Sequence, residues 1–263
     1  MGFSHLLIQF VFRLTFGVAL AMAVTPSKHV SSGFYRIHLW VLMGLNTLAA
    51  LAVYSQSESL AGVLTDWRVP LGLAMTLAAL CYVGSVVWLY EKSDSGTAVV
   101  ILVAAAALVA AAYATPWGDI KTSFGITLAM LDLALSGVLL GVTLSAMLLG
   151  HWYLNTPTME LLPLKRLVIF MACAIVVRTF VSGTGLAMQA TSAQPLDQVF
   201  WLFVTFRWLS GLLGTFTLAL MTWYTLKVPN TQSATGILYA GVILAFLGEL
   251  TSLLLSVDYL YPL

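Results

Sequence analysis

A chain of 263 residues that is 60% hydrophobic and only 8% charged cannot cover a water-facing surface, because a soluble domain devotes about a quarter of its residues to charge. A formal net charge of +1 with no basic cluster argues against nucleic acid as a partner, whose phosphates would need several lysines or arginines. With a mean hydropathy of +0.98, the composition predicts an all-α polytopic membrane protein. Its expected form is an eight-transmembrane-helix bundle with short loops, one domain over 1–263 in a lipid bilayer.

Runs of about 20 apolar residues span a bilayer core. They are expected at 5–25, 34–55, 70–90, 98–114, 124–153, 164–189, 199–226 and 236–257. Ala21-Met22-Ala23 has the small residues of a signal-peptide cleavage site, but no basic stretch precedes it and Arg13 interrupts the apolar run. The segment is therefore expected to stay as the first helix. The fourth run is short, and the fifth and seventh are long, which suggests tilt or extension past the interface.

The runs are separated by helix-stopping residues: Thr25-Pro26-Ser27, Ser55 to Asp66, Glu91 to Gly96, Thr115 to Asp119, Asn155-Thr156-Pro157, Gln194-Pro195 and Pro229-Asn230. Trp40, Trp67, Trp88, Trp117, Trp152 and Trp201 fall near the ends, at headgroup level. Cys81 and Cys173 lie inside apolar runs and read as small buried hydrophobes.

Lys28, Lys92, Lys165, Arg166 and Lys227 follow helices 1, 3, 5 and 7, whereas only Arg68 and Lys121 follow helices 2, 4 and 6. By the positive-inside rule the first set is cytoplasmic. The expectation is a bacterial inner-membrane protein with both termini outside.

Charge inside a membrane is costly and usually faces the bundle interior. Arg13, Asp132, Arg178, Arg207 and Glu249 fall within apolar runs. Counted from the outer face at 1.5 Å per residue, all five lie roughly 12–16 Å deep. Gln9, Ser136, Ser182 and Ser210 stand one turn from these charges and could supply acceptors. The slab can be a site for a quinone or for proton conduction. Arg13, Arg178 or Arg207 would then donate to a carbonyl, and Asp132 or Glu249 would exchange a proton. It can equally be an internal ion-pair network that fixes helix packing.

His38 and His151 fall at similar depth near the opposite face. Two imidazoles at one level could ligate a b-type haem or another metal, with Arg36 as a propionate partner. The alternative is a pair of interfacial histidines in an aromatic belt with Tyr35, Trp40, Trp152 and Tyr153. His5 and His29, at or beyond helix ends, are weaker candidates.

Helices 3 and 4 carry no charge within their apolar runs and are candidate faces for lipid or for other membrane or peripheral subunits. Helix 4, rich in alanine, is smooth enough for close approach. Gly137-xxx-Gly141 and Ser210-xxx-Gly214 suit close helix packing.

No P-loop, GxSxG, HExxH or Asp-rich diphosphate motif is present, so hydrolytic and phosphoryl-transfer chemistry is poorly supported. An eight-helix chain with very short loops resembles, in outline, the quinol-interacting anchor subunits of bacterial respiratory oxidoreductases. The leading expectation is a membrane subunit of a redox or energy-transducing complex. The alternatives are a non-catalytic scaffold or assembly subunit, and a small-solute or ion transporter.

Overall fold

The computed structural model describes residues 3–55, 66–115, 117, 122–156, 159–192, 196–228 and 230–263. Pro116, Gly118, Asp119, Lys121, Pro157, Gln194, Pro195 and Pro229, together with 56–65, lie outside the described residues.

Eight helices are long and apolar enough to cross a membrane, and no strand occurs among the described residues. They are α1 (Phe3–Val24), α2 (Ser32–Ser55), α3 (Arg68–Leu89), α4 (Ser93–Ala114), α5 (Ser123–Asn155), α6 (Leu162–Ala190), α7 (Gln198–Thr225) and α8 (Thr231–Asp258).

Local chemistry sets their starts. Thr122, Asp197 and Asn230 cap α5, α7 and α8 by accepting from the backbone N–H groups of Gly125, Phe200 and Ser233. Pro163 occupies the first turn of α6, where its missing N–H costs nothing.

The helices start slightly earlier than hydropathy suggests, α4 and α8 most of all. α4 begins at Ser93 and is 22 residues long, not short. Asp94 lies in its first turn, where a carboxylate meets the positive end of the helix dipole. α8 begins at Thr231 because the Asn230 cap draws in a polar first turn. α7 is not uniformly α-helical: Trp208–Gly214 form a wider π-helical turn, in which Thr215 Oγ1 donates to the Ser210 carbonyl at 3.0 Å.

α1 joins two groups of four helices. It packs on α2 and α4 in the first group and on α5, which leads the second. The most apolar stretch of α1 and of α5 is 72% buried, against 33% for α3, so the centre holds two helices. Gly17 of α1 sits against Gly137 and Gly141 of α5, so close that a Cβ on Gly17 would collide with the Gly137 carbonyl.

The alanine face of α4 (Ala104, Ala107, Ala110, Ala111, Ala114) is buried within the bundle, where α1 and α3 are its neighbours. Bulky Ile101, Leu102 and Val109 point outward from α4. In the first group, Tyr35 of α2 stacks on Trp88 of α3 with ring centroids 3.9 Å apart.

One expectation needs correction. Cys81 is buried, but Cys173 is exposed, because it shares the outward stripe of α6 with Phe170, Val176 and Val177. Gly214 of α7 packs closely on α8, where a Cβ would lie 2.8 Å from the Leu244 side chain, and Gly211 meets Gly248 backbone to backbone.

Candidate functional site

Each charged residue of the slab lies on the buried stripe of its helix. Arg178 shares the stripe of α6 with Met171, Ile175, Ser182 and Gly185, and Glu249 that of α8 with Ala245, Gly248 and Ser252. These stripes carry the charges inward, and four of the five meet.

Arg178, 0% exposed, bridges two acids. Its Nη2 lies 3.3 Å from Asp132 Oδ1, and its Nη1 pairs with Glu249 Oε1. Asp132 Oδ2 stands 3.9 Å from Arg13 Nη1. Ser136 ties the cluster together: its Oγ donates to Glu249 Oε2 at 2.5 Å and accepts from Arg13 Nη1 at 3.3 Å. The group joins α1, α5, α6 and α8 through side chains alone.

Arg207 is different. It is 1% exposed, and its Nη2 donates to Ser182 Oγ at 3.0 Å. Its Nε and Nη1 have no hydrogen-bond partner among the described residues, and no carboxylate there comes within ion-pair reach. With all five groups ionised, three guanidiniums face two carboxylates, and one positive charge remains over.

Of the four expected polar neighbours, Gln9, Ser136 and Ser182 contact the arginines. Ser210 does not, because its hydroxyl donates to the Phe206 carbonyl of its own helix at 2.7 Å. His5, by contrast, joins the cluster although it stands near a helix end. It is fully buried, and its Nδ1 accepts from Gln9 Nε2 at 3.1 Å, while Gln9 Oε1 accepts from Arg13 Nη2 at 3.4 Å. The spacing 5, 9, 13 puts the three on one face of α1. A hydrogen-bonded line therefore runs His5–Gln9–Arg13–Ser136–Glu249.

His38 and His151 stand in different surroundings. His38 is buried, its Nδ1 donates to the Phe34 carbonyl at 2.6 Å, and its ring lies 4.0 Å from that of Phe34. His151 stands on an exposed face of α5. Arg36 lies over the Trp40 ring, 5.9 Å from its centroid. His38 Nε2 is buried and has no hydrogen-bond partner among the described residues. His29, in the α1–α2 connection, faces Glu160 at 3.0 Å, and both are substantially solvent-accessible. Among the described residues no three metal-ligating side chains come together.

Arg207 keeps two nitrogens without hydrogen-bond partners among the described residues, while both carboxylates are engaged by Arg178. Gln9 and Arg13 are poor relays, since an arginine does not deprotonate in proteins. The line along α1 orients Arg13 more readily than it moves protons. No family model, curated protein or solved structure matches the chain.

Proposed function

We propose that the protein is an integral membrane subunit of a redox or energy-transducing complex and that its buried cluster binds the carbonyl head of a quinone. The observation that carries this reading is Arg207, a buried guanidinium with two nitrogens unpartnered and no carboxylate beside it. An uncompensated buried charge is costly to fold. A carbonyl acceptor is what this one lacks. In this reading Arg207 donates to the carbonyl oxygen, and Glu249 or Asp132 exchanges the proton of the reduced form. Electrons pass to or from a partner subunit, for which the outward faces of α3 and α4 are free. The bundle sits in a bacterial inner membrane with both termini outside, as the lysine and arginine distribution suggests.

The test is quinone binding to the purified full chain in lipid nanodiscs, read by quenching of tryptophan fluorescence. Arg207→Gln should weaken binding about tenfold to a hundredfold, the worth of a charge-assisted hydrogen bond. Unaltered binding in that variant, or none in the wild type, overturns the proposal.

A second reading is favoured by Arg178, whose two carboxylate contacts knit α5, α6 and α8. The cluster is then internal glue of a scaffold subunit. That role accounts for four charges by ion pairs and leaves Arg207 with only its bond to Ser182 of α6.

A further inference from the structure

The helices flanking Arg207 diverge on the outside of the bundle. α6 packs mainly on the Thr215–Thr225 end of α7, while the π-helical turn leans on α8 through Gly211 and Gly248. The splay leaves an apolar groove of 480 Å³ whose walls include Val176, Thr179 and Phe180 of α6 and Trp208, Leu212 and Phe216 of α7. The volume falls in the range of small-molecule sites. The only hydroxyl in its walls, that of Thr179, is already spent on the Ile175 carbonyl at 2.8 Å.

The groove and the cluster are back to back on both helices. Thr179 follows Arg178, and Trp208 follows Arg207. The Trp208 ring lies beside Gly183, where a Cβ would sit 3.6 Å from it, and Gly183 follows Ser182. Arg207 reaches from α7 to Ser182 on α6 and so links the two helices one residue before Trp208. Trp208 Nε1 is buried and, like Arg207 Nε and Nη1, has no hydrogen-bond partner among the described residues. π-helical turns of this kind frequently mark functional sites.

We propose that this groove is the lateral route from the lipid to Arg207, holding the isoprenoid tail of a quinone whose head carbonyl lies at the Arg207 guanidinium past the Trp208 ring. The proposal rests on the quinone reading and adds the path and the residue that gates it. A lipid acyl chain in the groove would supply no acceptor for Trp208 Nε1, Arg207 Nε or Arg207 Nη1, none of which has a hydrogen-bond partner among the described residues. A ligand with a carbonyl head and an apolar tail satisfies both parts.

The experiment compares two probes on the full chain in nanodiscs: a benzoquinone with a short isoprenoid tail and the same head without one. Filling the groove with Val176→Trp plus Leu212→Trp should weaken the tailed quinone about tenfold or more and slow the entry of the tail-less one with far less loss of affinity, because only the tail occupies the filled volume. Unchanged binding of the tailed quinone in that variant, with Arg207→Gln still impaired, overturns the route and leaves the site standing. Binding of neither probe to the wild type overturns both. Photolabelling of the wild type with an azido-quinone needs no variant to fold. Label on Trp208, Leu212 or Phe180 supports the route, and label found only elsewhere overturns it.

Discussion

Gly211 of α7 and Gly248 of α8 meet backbone to backbone, and a Cβ on Gly211 would lie 2.7 Å from Gly248 Cα. Backbone cannot move aside as a side chain can. The contact fixes the π-helical turn against α8 one residue before Glu249. Gly248→Ala should therefore force the helices apart at a cost of about 1–3 kcal/mol, the usual penalty of overpacking. Unfolding in detergent followed by circular dichroism measures it, and a variant as stable as wild type would contradict the contact.

Arg178 and Arg207 are both fully enclosed but should respond oppositely to removal. Arg178→Met strands two carboxylates and should cost about 3–5 kcal/mol. Arg207→Met deletes a charge that no carboxylate among the described residues contacts directly, at the loss of one bond to Ser182. It should be neutral or mildly stabilising in the absence of ligand. Equal destabilisation by the two would mean that Arg207 has a structural partner.

Much of the arrangement is legible in the sequence, and the limits have a geometric cause. Helix rise converts residue number to depth, so Arg13, Asp132, Arg178, Arg207 and Glu249 could be set at one level. Depth says nothing about direction around the bundle. That is why equal depth puts Arg178 against Glu249 yet leaves His38 enclosed and His151 exposed. The isolation of Arg207 depends on which helices are neighbours, which no count along the chain gives. The place of His5 beside the cluster is the more recoverable from sequence, since 5, 9 and 13 share a helix face. The π-helical turn carries no reliable sequence sign beyond Gly211 and Gly214, and the central place of α1 is hidden because its Gly17 stands alone.

Gly17 and Gly44 are both mid-helix glycines with opposite surroundings. Gly17 abuts Gly137 and Gly141, whereas a Cβ on Gly44 would meet nothing within 4 Å. Gly17→Ala should destabilise by about 1–3 kcal/mol or more through overpacking. Gly44→Ala should stabilise by up to about 1 kcal/mol, the entropy a helical glycine forfeits. Parallel melting curves decide it, and a reversed order would refute the placement of α1 on α5.

Asn46 of α2 donates to Thr15 Oγ1 of α1 at 2.9 Å and to the Leu42 carbonyl at 2.8 Å. Both side chains are fully buried. Thr15→Val removes the cross-helix acceptor and nearly preserves shape, so it should cost about 0.5–1.5 kcal/mol, as interhelical bonds in membranes do. In Asn46→Leu the same substitution at Thr15 should cost far less, and a double-mutant cycle showing no coupling would remove the bond from the account.

The line from Arg13 through Ser136 to Glu249 sets an order of events during synthesis. The first step spans 123 residues of chain and the second 113. In a bilayer, α1 would be made first with its arginine unmatched, would gain Asp132 and Ser136 only when α5 arrives, and would complete the circuit with α8. Until then Arg13 must be held near the interface or by an insertion factor. The cluster would thus act as a checkpoint on assembly: a chain stopped before α8 keeps Arg178 short of its second acid and can be told apart from a finished one.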